Sequence, residues 1–231
     1  MRLLMLVFVL TLILSCKESE IEISKPEEPA QNETAEYTVT FTFNWNNTDF
    51  PVDYPSNPHF SSLVGWVHQK DNTFFDAGKI ATDGIKSMAE VGGTATLVEE
   101  LQALIDQKKG LKTYVGSGVG SGLGSGVGNI SLDVTISNEF PAVSFATMLA
   151  PSPDWYIAAV NVVLTDDDGS FIETKTIHGG VYDAGTDNGT TFTAANSFSN
   201  PRENIRIITQ APLGDGNGVK SSICSVAFAK K

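Results

Sequence analysis

YTVTFTFNW, residues 37–45, decides the fold. Tyr37, Val39, Phe41, Phe43 and Trp45 alternate with Thr38, Thr40, Thr42 and Asn44. Side chains on a strand point to opposite faces in turn, so this spacing gathers five large apolar groups on one side and polar groups on the other. β-branched and aromatic residues also suit the pleated backbone. The stretch predicts a half-buried β-strand. Similar runs recur at 131–136 (SLDVTI), 143–149 (VSFATML), 155–164 (WYIAAVNVVL), 171–177 (FIETKTI), 204–209 (NIRIIT) and 219–228. Turn residues separate them, and Asp166-Asp167-Asp168-Gly169 predicts a tight hairpin between two of them. Many short strands at this spacing predict a mainly β chain, folded as an antiparallel β-sandwich.

One helix interrupts the strands. Thr96 and Glu99 form a capping-box signature, Leu97, Val98, Leu101, Leu104 and Ile105 make an apolar stripe, and Gly110 is placed to end it. A shorter helix is expected over residues 84–90. Residues 116–128, GSGVGSGLGSGVG, repeat Gly-Ser-Gly-Val/Leu. No Gly-Lys-Ser/Thr follows, no frame gives G-x-G-x-x-G, and no Ser stands in G-x-S-x-G, so neither a phosphate loop nor a nucleophile elbow is present. The repeat predicts a flexible loop.

Composition narrows the function. The chain has 231 residues, 41% of them hydrophobic, with a formal net charge of -12 and a pI near 4.6. Such an acidic exterior excludes nucleic acid and anionic lipid surfaces as partners, because both would be repelled. At the N-terminus, Arg2 precedes an apolar run, residues 3–14, that is too short to span a bilayer and reads as the core of a secretory signal. The run ends in Ile13-Leu14-Ser15-Cys16, which resembles a bacterial lipobox. Residues 1–15 are then a lipoprotein signal peptide and Cys16 the lipidated first residue; the alternative is an ordinary signal with a coincidental Cys. Residues 17–36 hold seven Glu, two Lys and two Pro. Together with Cys16 they form an acidic, self-repelling tether over 16–36, leaving 37–231 as the folded domain. Lys17-Glu18-Ser19-Glu20 resembles the acidic export signal of bacterial surface lipoproteins, so the expected location is the outer membrane, lipid-anchored and facing outward. The only other cysteine, Cys224, shares a strand face with Val226 and Phe228 and reads as a buried thiol.

Two acidic segments stand out. In MLAPSPDWYI, residues 148–157, Asp154 follows two prolines and precedes an apolar run, where a charge needs a partner. In VYDAGTDNG, residues 181–189, Asp183 and Asp187 flank Gly185. If the second loop curls, three carboxylates meet, with Thr, Asn and backbone carbonyls nearby. Hard oxygen donors of this kind suit calcium, and no soft ligand disputes the site. The alternative is that Asp, Gly and Asn are turn formers in both places. Neither Gly169 nor Gly189 fits an EF-hand frame, because the required first acid falls on Leu164 or Ala184. His59, His68 and His178 are too scattered for a metal-ligand spacing.

APSPDW at 150–155 with YDAGTDNGTTF at 182–192 resembles the spondin N-terminal domain, shared by F-spondin and mindin. PAVSFATM at 141–148, FSSLVGWVHQ at 60–69 and DAGKIATDGIKSMAEVGG at 76–93 extend the likeness over residues 37–209. The resemblance implies a C2-like β-sandwich and calcium ligands at Asp154, Asp183 and Asp187. The chain departs from the family at Ala158, where Gly is usual, and at Ser170-Phe171, where a Trp follows the hairpin glycine. It also lacks the animal proteins' cysteines and thrombospondin-type repeats, and the Gly-Ser repeat is an addition. The expected function is a cell-surface calcium-binding module that recognises an extracellular glycan, matrix component or surface protein, touching the membrane only through its lipid. No catalytic residue is assigned. The alternatives are an exported hydrolase of an extracellular polymer and a passive lipoprotein stabilised by calcium.

Overall fold

The structure, a computed structural model, describes residues 32–120 and 124–231. Cys16 and most of the expected tether lie outside the described residues. The first strand, β1 (Thr34–Asn44), begins earlier than its apolar pattern, taking in Thr34, Ala35 and Glu36 at the end of the expected tether. Its register with β5 (Val127–Ser137) explains why: Thr34 pairs with Ser137 and Glu36 with Thr135, so the partner strand carries the pairing past the last apolar residue. The alternation of β1 is complete, with Tyr37, Val39, Phe41 and Phe43 buried.

The remaining elements are β2 (His59–Phe60), β3 (Val64–His68), α1 (Asp83–Val91), α2 (Ala95–Asp106), β4 (Gly110–Val115), β6 (Ala142–Ala150), β7 (Trp155–Val163), β8 (Thr174–His178), β9 (Gly180–Asp183), β10 (Arg206–Ile207) and β11 (Cys224–Lys230). Two antiparallel sheets form a sandwich. One runs β5-β1-β11-β8 and the other β10-β9-β7-β6-β3-β4, with β2 paired to β6. Between them lies a core built around Phe41, Phe43, Phe145 and Phe228. A second core fills the other face of the larger sheet, where Trp66, Met148 and Tyr156 meet Ile85, Met88, Leu97 and Leu101 of the helices. The strand β6 is therefore buried on both faces along its whole length. That explains an apolar run without alternation.

Local signals and tertiary placement diverge at three points. Thr94, not Thr96, precedes α2, and no side chain caps it there. The helix ends at Asp106, the left-handed residue after it is Lys108 (φ 60°), and Gly110 opens β4. The Asp166–Gly169 turn forms, with Thr165 bridged to Phe171, but its flanking strands part: β7 pairs in one sheet and β8 in the other. The described residues of the Gly-Ser segment, 116–120 and 124–128, also differ from a flexible loop. Val119 is buried and its backbone exchanges hydrogen bonds with Phe60, while a Cβ on Gly118 or Gly126 would meet carbonyl oxygens at 2.4 and 2.3 Å. These glycines are small because backbone passes against them.

Candidate metal centre

The PSPD corner is built by its own hydroxyl. Ser152 Oγ accepts the Trp155 N–H at 3.0 Å, which turns the chain into β7. Trp155 pairs with Asp183 on β9, and Ala184 N–H donates to the Asp154 carbonyl at 3.1 Å. The ladder thus sets Asp154 beside the start of the second acidic loop. Gly185 then adopts a left-handed φ of 71°, and a Cβ there would meet the Glu203 carbonyl oxygen at 2.4 Å. Only glycine fits both demands.

That turn folds the loop over Asp154. Oδ2 accepts the N–H groups of Thr186 (2.6 Å) and Asp187 (3.0 Å) and the Thr186 hydroxyl (3.2 Å). Oδ1 is buried with no hydrogen-bond partner among the described residues. Asp154 itself is 0% exposed. Burial pushes its carboxyl up to about 6, the Asp183 charge adds to the rise, and the Thr186 and Asp187 N–H groups oppose it.

The other two acids are differently placed. Asp183 Oδ1 accepts the Gly185 N–H at 2.8 Å, and Oδ2 accepts from Arg206 Nη2 at 2.8 Å. Burial still raises its carboxyl, outweighing the neighbouring guanidinium. Asp187 closes its own loop, accepting the N–H groups of Gly189 and Ser197, each at 2.8 Å. The structure therefore ties Asp154 to Asp187 through the backbone and to Asp183 through charge. Among the described residues no three His, Cys, Asp or Glu side chains group as ligands of one ion.

The donor set nevertheless suits a hard cation. The groups that hydrogen-bond Asp154 are two backbone N–H groups and one hydroxyl, all on Oδ2, and Oδ1 has no hydrogen-bond partner among the described residues. A buried anionic oxygen without a partner is costly, and either a proton or a cation would relieve that cost. Arg206 was not legible in the sequence; it sits in a plain strand run, and nothing local marks it as the counter-ion of Asp183. Trp155 is buried against Phe192, ring centroids 5.4 Å apart. Its indole N–H has no hydrogen-bond partner of good geometry, although it lies near enough to Asp183 to help hold that charge.

The histidines take no part. His68 is fully buried, its Nδ1 on the Gln69 carbonyl (2.7 Å) and its Nε2 on Ser144 Oγ (2.8 Å). Burial lowers its pKa to about 4, which keeps the ring neutral. His178 ends β8, hydrogen-bonded to Ser222. Cys224 is buried as expected, its thiol pushed up to about 12 by desolvation.

A family model described as Spondin_N matches residues 35–217. Spondin-1 of Homo sapiens is 30% identical over 201 residues, covering 84% of this chain and 24% of the relative. Spondin-1 of Gallus gallus is 30% identical over 192 residues, 80% of this chain and 24% of the relative. Spondin-2 of Homo sapiens is 29% identical over 180 residues, 77% of this chain and 53% of the relative. The chain thus spans about a quarter of Spondin-1 and about half of Spondin-2.

Proposed function

The chain belongs to the spondin N-terminal domain family, and from that premise we propose that it is a calcium-binding recognition module displayed outside a bacterial cell, not an enzyme. The observation that carries the reading is the buried, unpartnered Oδ1 of Asp154, next to a second buried carboxylate on Asp183. Asp154, Asp183 and Asp187 would hold the ion. Bound calcium would supply the positive charge that these carboxylates share with only one guanidinium.

The residues divide the work. Asp154 anchors the loop through Oδ2 and offers Oδ1. Asp183 offers the carboxylate that Arg206 otherwise neutralises, while Asp187 carries the closing arm of the loop. In the metal-free fold Asp183 and Asp187 accept hydrogen bonds that close the loop, and Asp154 anchors it through Oδ2. The partner would be an extracellular glycan, matrix component or surface protein, reached by a domain lipidated at Cys16.

Calorimetric titration of the purified domain tests the cation. Saturable calcium binding that disappears in Asp154→Ala is the expected result. No heat of binding, together with a melting temperature that chelator leaves unchanged, would reduce Asp154 to a turn residue. The anchor has its own test: Cys16→Ala should release the protein from the membrane fraction, and a variant that stays bound with an unchanged mature mass would refute lipidation.

A further inference from the structure

The sequence holds two Asn-Gly pairs, Asn188-Gly189 and Asn217-Gly218. Such a pair is a reactive setting for a side-chain amide, because glycine has no Cβ to shield its nitrogen from the asparagine side chain. Both asparagines are exposed and both glycines are half-buried, so exposure does not separate the pairs. Their hydrogen bonds do. Gly189 N–H is held on the Asp187 carboxylate at 2.8 Å, and a Cβ at Gly189 would meet Pro153 Cγ at 2.6 Å. The Asn188 amide is clamped at both ends: Nδ2 donates to the Ser197 carbonyl at 3.1 Å, and Oδ1 accepts the Ser199 hydroxyl at 3.0 Å. The second pair stands on an open turn, where Asp215 N–H donates to the Gly218 carbonyl at 3.0 Å. A Cβ at Gly218 would find nothing within 4 Å. The Asn217 side chain makes no hydrogen bond among the described residues. Gly218 N–H reaches Asp215 Oδ1 only at 3.3 Å, on an oxygen that already takes the Asn217 N–H at 2.9 Å.

We propose that Asn217 is a site of spontaneous deamidation, converted to aspartate and isoaspartate, and that the acidic loop disarms the same chemistry at Asn188. The step is an intramolecular displacement. The Gly218 nitrogen gives its proton to solvent base and attacks Asn217 Cγ. A new C–N bond closes a succinimide ring, the bond to Nδ2 breaks, and ammonia leaves with a proton from solvent. Water then opens the ring at either carbonyl, giving aspartate or isoaspartate. Only water enters and only ammonia departs. The attacking nitrogen must first lose its proton, and a carboxylate held on that N–H opposes the loss. The side chain must also swing onto the next nitrogen. Asn217 is free to do so, whereas Asn188 would first have to break both of its clamps. Conversion adds a negative charge to the turn, and isoaspartate also inserts a backbone methylene beside the Gly214–Val219 bridge that closes it. The inference is independent of the cation reading.

The experiment incubates the purified protein in mildly alkaline buffer with chelator and follows both Asn-Gly peptides by mass spectrometry. Enzymatic methylation specific to isoaspartate marks the product. Asn217 should convert at least about tenfold faster than Asn188, the worth of one charge-assisted hydrogen bond on the attacking nitrogen. In urea the two should convert at comparable rates, because only the fold tells them apart. Asp187→Ala takes away the Gly189 acceptor and should bring Asn188 toward the rate of Asn217. Asn217 itself should keep its rate in that variant, which distinguishes a freed amide from an unfolded chain. Should the variant unfold, the comparison of folded and urea-treated wild type decides alone. An Asn217 that stays intact while the chain in urea converts, equal rates at the two sites in the folded protein, or an Asn188 still as slow in folded Asp187→Ala would each overturn the inference.

Discussion

Two acidic glycine loops, Asp166–Gly169 and the stretch from Asp183 to Gly189, carry much the same residue types and have opposite fates. In the first, Asp166 and Asp168 both turn an oxygen to the Ser170 N–H at 2.9 Å, and all three acids are exposed. Gly169 has a φ of 89° with nothing within 4 Å of a Cβ. In the second, Asp183 and Asp187 are buried, Gly185 is wedged against Glu203, and the loop wraps a carboxylate contributed by another strand. An acid in water is satisfied by solvent. A buried one must find donors, a cation or a proton, so burial gives the same composition a different chemistry.

The sharpest way to break this contrast is to remove Asp154. Asp154→Ala at pH 5 without calcium leaves two buried N–H groups and a hydroxyl without their acceptor, and should cost about 4 kcal/mol in denaturant unfolding. Asp168→Ala, its exposed counterpart, should leave the melting temperature where it was. Equal effects would mean that burial does not separate the loops.

Proton linkage comes next in size. The folded Asp154 carboxyl titrates near 6, above its ordinary 3.8, so between these values the folded state binds more protons than the unfolded one. Stability of the metal-free protein should therefore fall as pH rises from about 4 to about 6, by up to about 3 kcal/mol, and stay lower above that. With calcium the slope should reverse, because the ion needs the ionised acids. A chelated protein whose stability does not decline over this window would contradict the buried charge.

Calcium itself should raise stability by about 2.7 kcal/mol at 100 times its dissociation constant. Asp183→Asn should erase most of that gain, which thermal melting with and without chelator would read. An effect of the same size in Asp166→Asn would assign the ion to the wrong loop.

The smallest contrast lies in the two glycines. Gly185→Ala combines a left-handed φ with a close approach to backbone and should cost about 2 kcal/mol; Gly169→Ala meets only the backbone term, about 1 kcal/mol. Chemical denaturation of both variants measures the difference, and identical costs would remove the packing argument at Gly185.

Much of the candidate site could be read from residue order alone. Asp154, Asp183 and Asp187 stood out because acids beside prolines, glycine and apolar runs demand a reason. The companions did not stand out. Arg206 looks like any strand cation, and the burial of Asp154 Oδ1 is a property of packing that no spacing expresses. Strands β3, β4 and β9 were equally hidden, since Val64–His68 is buried on both faces and so shows no period, whereas β9 is only four residues long.

The sequence by itself determined which segments would be strands with one apolar face, that a helix would interrupt them, and that the chain shares its motifs with the spondin family. These are local properties: side-chain direction alternates along a strand, and turn residues act within a few positions. Tertiary structure alone decided that β7 and β8 part into different sheets, that Gly118 and Gly126 pack against Phe60 and Trp45, and that one carboxylate oxygen is buried without a hydrogen-bond partner among the described residues. Strand pairing and desolvation depend on residues far apart in the chain, and their cost or gain exists only once those residues meet.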